Sequence, residues 1–319
     1  MSAPSRLENF PISWFAVVMG LAGLDLAWAR AETVLTLPVA LSPVLVVLTP
    51  AVFVVLATLY AAKAIRHPQA VAKELKHPVK LNFFATISIS LILIATTLVH
   101  AAPSVSLVLW AAGAALHLVF TLYVLSVWIH HTHFEIAHIN PAWFIPIVGN
   151  ILVPIAGVHH ASPEISWFFF SIGLVFWLLL FTIILYRVIF HQPLPERMIP
   201  TLFILIAPPA VGFLSWLQLT DSLDAFARIL YYIALFLTLL LLTQVRRFAR
   251  LEFFLSWWAY SFPMAAITVA TVAMAQRTGL AFFSGLAMVL LALVSLLILL
   301  LVARTAQGVA RRGICVDEG

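Results

Sequence analysis

The sequence predicts an all-α polytopic membrane protein of ten transmembrane helices in five hairpins, its odd-numbered spans forming an inner ring of kinked helices around an axis. Three observations lead there. Hydrophobic residues make up 64% of the 319 positions and charged residues only 9%, whereas soluble domains are about a quarter charged. A water-soluble chain of this size has too much surface to cover with so few charges, so most of its solvent is lipid. The apolar residues fall into ten runs of spanning length, and the lysines and arginines divide unevenly between the two sides those runs define.

A bilayer core of about 30 Å needs around 20 apolar residues in helical form. The runs 9–28, 38–62, 81–100, 104–129, 142–159, 165–190, 198–219, 224–245, 253–275 and 279–303 meet that need. The first follows Arg6 and ends near Ala27, Ala29 and Ala31, small residues that imitate a secretory cleavage site. Its length from Phe10 to Trp28, its Asp25 and the spans that follow argue for a retained helix. The fifth run is short and holds Pro146 and Pro154; the seventh is interrupted by Pro208 and Pro209. Strands of a β-barrel need only about 9–11 residues and alternate in polarity, unlike these long apolar runs. The longest connection, Lys63 to Lys80, contains Pro68 and Pro78, and no soluble domain is left over. Residues 1–319 therefore read as a single transmembrane domain.

Ten spans put both termini on one side. That side holds Arg6, the five cations from Lys63 to Lys80, Arg187, Arg197, Arg246, Arg247, Arg250, Arg304, Arg311 and Arg312. Only Arg30, Arg228 and Arg277 fall on the other. The positive-inside rule makes the basic side cytoplasmic. The net charge of +5 is too dispersed for a nucleic-acid surface. The single cysteine, Cys315, excludes an internal disulfide.

Prolines separate the odd spans from the even ones. Pro146 and Pro154 lie in the fifth, Pro208 and Pro209 in the seventh, and Pro263 in the ninth. The first has Gly20 and Gly23 after Pro11, and the third has Thr86, Ser88 and Ser90. Among even spans only the second carries interior prolines, Pro43 and Pro50. An interior proline removes a helix hydrogen bond, which lipid tolerates only where the backbone faces protein or a polar cavity. The odd spans thus read as a bent inner set lining a cavity.

Intramembrane charge is nearly absent. Asp25 sits near the outer end of the first span, where it is expected to neutralise Arg30; His117 is the one deep histidine and reads as a helix–helix hydrogen-bonding group. The stretch "HHTHFEIAH", His130 to His138, gathers imidazoles but not at HExxH spacing. It reads as an interfacial loop, and neither a metal site nor a cofactor is expected. A pore of this kind would rely on backbone and helix-end dipoles, and the residues alone leave the sign of the ion open.

Three segments carry a resemblance: "FPISWFAVVMGLAGLDLAW" from Phe10, "PAWFIPIVGNILVP" from Pro141, and "RRFARLEFFLSWWAYSFPMAA" from Arg246. In this order, within ten spans, they resemble the tellurite-resistance/dicarboxylate transporter family, which includes bacterial TehA-type channels and plant guard-cell slow anion channels. The resemblance implies a homotrimer in the plasma (bacterial inner) membrane, each subunit with its own pore. It implies passage of small inorganic or organic anions, no enzymatic activity, and a phenylalanine on the ninth span as the plug. Phe262 of "SFP" matches that phenylalanine, and Pro263 after it restricts the backbone that aims the ring. Helical spacing toward the bends adds Gly20, Gly23, Thr86, Ser90, Pro146, Asn150, Pro208 and Gly212 as lining candidates. The expected activity is passive anion conduction; the alternative is a transporter exporting sulfite, a C4-dicarboxylate or tellurite-related anions, with proton coupling as a variant.

Overall fold

This structure, a computed structural model, describes residues 6–130 and 134–315. The described residues are helical, with no strand. Ten helices among them are long and apolar enough to cross a membrane: Ile12–Leu35, Ser42–Arg66, Lys80–Leu98, Pro103–His130, Pro141–His160, Pro163–Phe190, Glu196–Thr220, Ala225–Leu242, Leu255–Thr278 and Ala281–Ala310. They are called spans one to ten below. Each lies over one of the ten apolar runs, and the chain is an integral membrane protein.

Several ends run beyond the apolar run, because a helix can continue into the polar interface. Span one passes Trp28 and carries Arg30 and Glu32 to Leu35. The Glu32 carboxylate accepts from the backbone N–H groups of Leu41 and Ser42 at 2.7 and 2.9 Å and from Ser42 Oγ at 2.5 Å. It caps the start of span two, whose first N–H groups have no partner within the helix.

Odd and even spans are built differently. The even spans are continuous α-helix, Pro50 included. Every odd span contains 3-10 turns, at Ile12–Trp14, Lys80–Phe84, Pro141–Trp143, Gly149–Leu152, Glu196–Leu205 and Leu255–Tyr260. Their prolines fall where α-helix takes over: Pro154 opens Val153–His160, Pro208 and Pro209 open Ala207–Thr220, and Pro263 stands third in Ser261–Thr278. The bends expected from these prolines are thus junctions between two helix types. A first-turn residue gives its N–H to no partner within the α segment, so a proline there forfeits at most a bond to the turn before it.

Burial follows the same division. Over an 18-residue apolar window, between 67% and 89% of each odd span is buried, against 22–39% of each even span. Each odd span packs on the even span that follows it. The odd spans also pack on one another, one to three, three to five, five to seven, seven to nine, and nine back to one. Small residues permit the last contact. A Cβ at Gly20 would collide with Ser261 Oγ, and one at Gly23 would come within 2.8 Å of the Ala265 Cβ.

Candidate functional site

The 3-10 turns that open the odd spans, and the first α turns after them, surround a cavity of about 50 Å³ on the basic side. All five odd spans contribute walls. Span one gives Ser13, Ala16 and Met19; span three gives Phe83 and Thr86; span five gives Ile145. Span seven gives Thr201, Ile204 and Ala207, and span nine gives Leu255, Ser256, Trp258, Ala259, Phe262 and Pro263. The space admits a few waters and not an anion with its hydration shell.

No charged side chain lines the cavity. Thr86 and Thr201 donate their hydroxyl protons to backbone carbonyls three residues back, of Phe83 at 2.5 Å and Met198 at 2.6 Å. Ser256 Oγ is buried without a hydrogen-bond partner among the described residues. α-Helix takes over from the opening 3-10 turns at Phe15, Ala85, Phe144, Ala207 and Ser261, all at this level. The N–H groups at four of these starts, Phe15, Ala85, Phe144 and Ser261, are bonded to carbonyls of the 3-10 turns before them, so the two helix types run on without a gap.

Phe262 is 8% exposed and lies between this cavity and span one. A Cβ on Gly23 would stand 3.2 Å from its ring, so the missing side chain seats the phenylalanine. Pro263 has no N–H to return to the Ala259 carbonyl one turn back, and Ala259 also lines the cavity. The neighbouring aromatic residues hold this segment in place. Trp258 is fully buried and donates Nε1–H to Thr305 Oγ of span ten at 2.9 Å. Tyr260 packs edge-on against Phe203 at 4.7 Å between ring centroids, and Phe203 against Phe248 at 5.1 Å. A dense run of rings beside a proline therefore makes a rigid collar around a bend.

Residues 9–306 match the family described as voltage-dependent anion channel. The chain belongs to that family. Among its relatives, the S-type anion channel SLAH2 of Arabidopsis thaliana is 30% identical over 273 residues, 83% of this chain and 53% of that protein. The S-type anion channel SLAH3 of the same plant is 28% identical over 309 residues, 94% of this chain and 48% of the relative. The tellurite resistance protein TehA homolog of Haemophilus influenzae is 26% identical over 273 residues, 82% and 80% of the two chains. This chain thus spans about half the length of the plant relatives.

Of the site residues read from the sequence of this channel-family member, Thr86, Phe262 and Pro263 line the cavity. The others are buried in the odd spans outside its lining. Gly20 and Gly23 lie against span nine, and Gly212 faces the Ile151 and Leu230 side chains. Ser90 Oγ donates to the Thr86 carbonyl at 2.7 Å, and Pro208 sits in the first turn of its α segment. Pro146 and Asn150 belong to a hydrogen-bonded staple that closes the broken backbone of span five. Thr121 donates to the Pro146 carbonyl at 2.7 Å, and Asn150 Nδ2 donates to Thr121 Oγ at 2.8 Å and the Ile147 carbonyl at 2.7 Å. Ser215 and Trp110 supply donors to the Ile151 and Val153 carbonyls at 2.5 and 2.9 Å.

Sequence reasoning missed Ser13, Thr201 and Ser256. The first two shared a signal: Ser13 follows Pro11 by two residues and Thr201 follows Pro200 directly, each inside a 3-10 turn. Asp25 departs from its expected pairing. It is 1% exposed with Oδ2 unpartnered, while Arg30 donates to Gln276 Oε1 at 2.6 Å. Five residues along an α-helix are about 140° of rotation, so the two side chains leave on different faces. His117 Nδ1 lies 2.9 Å from Ser88 Oγ and joins spans three and four. His131 and His133 of the histidine-rich stretch lie outside the described residues.

Proposed function

We propose that the chain is the subunit of a passive anion channel whose path runs between the odd-numbered spans and is narrowed at Phe262. The observation that carries this reading is one small cavity walled by all five odd spans, with Phe262 and Pro263 in its lining. Two features support the anion: the family that the chain matches, and a lining of hydroxyl and backbone dipoles without a fixed negative charge. Moving a bare ion into hydrocarbon costs tens of kcal/mol, and weak polar sites offset that cost while still letting the ion leave. The aromatic ring would exclude water and hydrated ions by size, as hydrophobic constrictions do.

In this reading residues 1–319 act as one transmembrane unit with cytoplasmic termini in the plasma membrane, the inner membrane of a bacterium. Each subunit of a homotrimer conducts separately. The apolar faces of the even spans, with Val47, Phe168, Phe236 and Leu296 among their exposed residues, would meet lipid and neighbouring subunits.

Recordings from purified protein in planar bilayers test the reading with chloride, nitrate and malate gradients at two pH values. The reversal potential is expected to follow the anion gradient and ignore an imposed pH gradient. A reversal potential that tracks the proton gradient would make the protein a coupled transporter.

A further inference from the structure

Between spans two and three lies the short helix Pro68–Lys76. Its one acid, Glu74, is turned inward and buried; Oε2 stands 2.9 Å from Lys63 Nζ and accepts from Tyr60 O–H at 2.7 Å. Lys63 also donates to the Phe10 carbonyl at 2.9 Å. The helix is thereby fastened both to span two and to the approach of span one.

With its acid engaged inside, the helix shows a cationic face outward. Gln69, Ala72, Lys73 and Lys76 are exposed, at spacings that place them on one side of a helix. Together with His77 they line an open groove of about 500 Å³. His77 Nδ1 accepts the N–H groups of Val79 at 3.1 Å and Lys80 at 3.3 Å, which puts the ring proton on Nε2. Burial, then the charges of Lys80 and His138, hold His77 below the usual histidine range. The groove thus offers two ammonium groups, an amide and a neutral imidazole N–H, and no carboxylate lines it. Beside it, the end of span two turns apolar residues outward, with Leu59 40% and Ile65 80% exposed. That places the groove at the depth of lipid headgroups.

We propose that this groove binds the headgroup of an anionic phospholipid, its phosphate held between Lys73 and Lys76 with the His77 Nε2–H as third donor. The proposal stands apart from the conduction reading, because its test counts bound lipid and no ion flux.

Native mass spectrometry of the full chain, mixed with phosphatidylglycerol or phosphatidylcholine of matched acyl chains, reads the occupancy. Phosphatidylglycerol is expected to be retained in preference. The double variant Lys73→Gln, Lys76→Gln should lose roughly thirtyfold in phosphatidylglycerol affinity, from the usual contribution of a lysine at an anionic surface. Its thermal midpoint should stay unchanged, because both side chains are exposed. Arg246→Gln with Arg247→Gln removes the same charge from another exposed site and should leave lipid binding intact. Equal retention of the two lipids, equal loss in both double variants, or inorganic phosphate competing as tightly as the lipid would each overturn the proposal.

Discussion

Span ten is the more apolar of the last two helices, yet only 33% of its 18-residue apolar window is buried; span nine is less apolar and its window is 89% buried. The even span is also the more apolar in the first, third and fourth pairs, and spans three and four are matched. A water-soluble protein would show the opposite, because water drives its most apolar helices inward. Here the lipid accepts apolar side chains, so the interior is selected for close approach and hydrogen bonding. Gly20, Gly23, Asn150 and the serines and threonines therefore gather inside, while span ten is a plain leucine-rich rod.

Substitutions at matched inner and outer positions should sharpen this contrast. The largest stability effect is expected at Gly20→Ala, where the new Cβ meets both Ser261 Oγ and the Trp258 ring. Overpacking of this kind costs about 2 kcal/mol or more, read as a lower thermal midpoint in detergent. Asn150→Leu should follow at about 1–3 kcal/mol, because it strips the Ile147 carbonyl of its side-chain donor. Thr182→Val is its control on an outer span, where the hydroxyl bonds only its own helix at Leu178, and should leave the midpoint unmoved. Trp258→Phe removes the bond to Thr305 and should cost about 1 kcal/mol, with a modest rise in basal anion flux as the collar loosens. Smallest, and opposite in sign, is Gly285→Ala on span ten. Nothing lies within 4 Å of the new Cβ, and alanine gains up to about 1 kcal/mol over glycine in a helix. A destabilised Gly285→Ala, or a neutral Gly20→Ala, would break the contrast.

The number and order of spans were legible in the sequence because hydropathy reports directly on the solvent. Helix ends were less so. Arg30 and Glu32 look like the end of a span, yet both are helical and engaged with Gln276 and with the start of span two. Phe262 was legible through its motif, and Thr86 through its place in a polar patch of span three. Helical phase was not legible. Each 3-10 residue turns about 120° against about 100° in an α-helix, so the segment Leu255–Tyr260 rotates everything after it by roughly a third of a turn. Spacing counted on an ideal α-helix therefore finds Gly20 and Gly212, which pack helices together, and passes over Ser13, Thr201 and Ser256, which line the cavity.

The most direct measurement of the central claim is the chloride current through Phe262→Ala, beside wild type and Phe236→Ala, whose ring is 62% exposed on an outer span. Removing the inner ring should raise the current by roughly tenfold or more, equivalent to about 1.4 kcal/mol off the barrier, and removing the outer ring should change nothing. A folded Phe262→Ala channel that carries no more current than wild type would contradict a path narrowed at that ring.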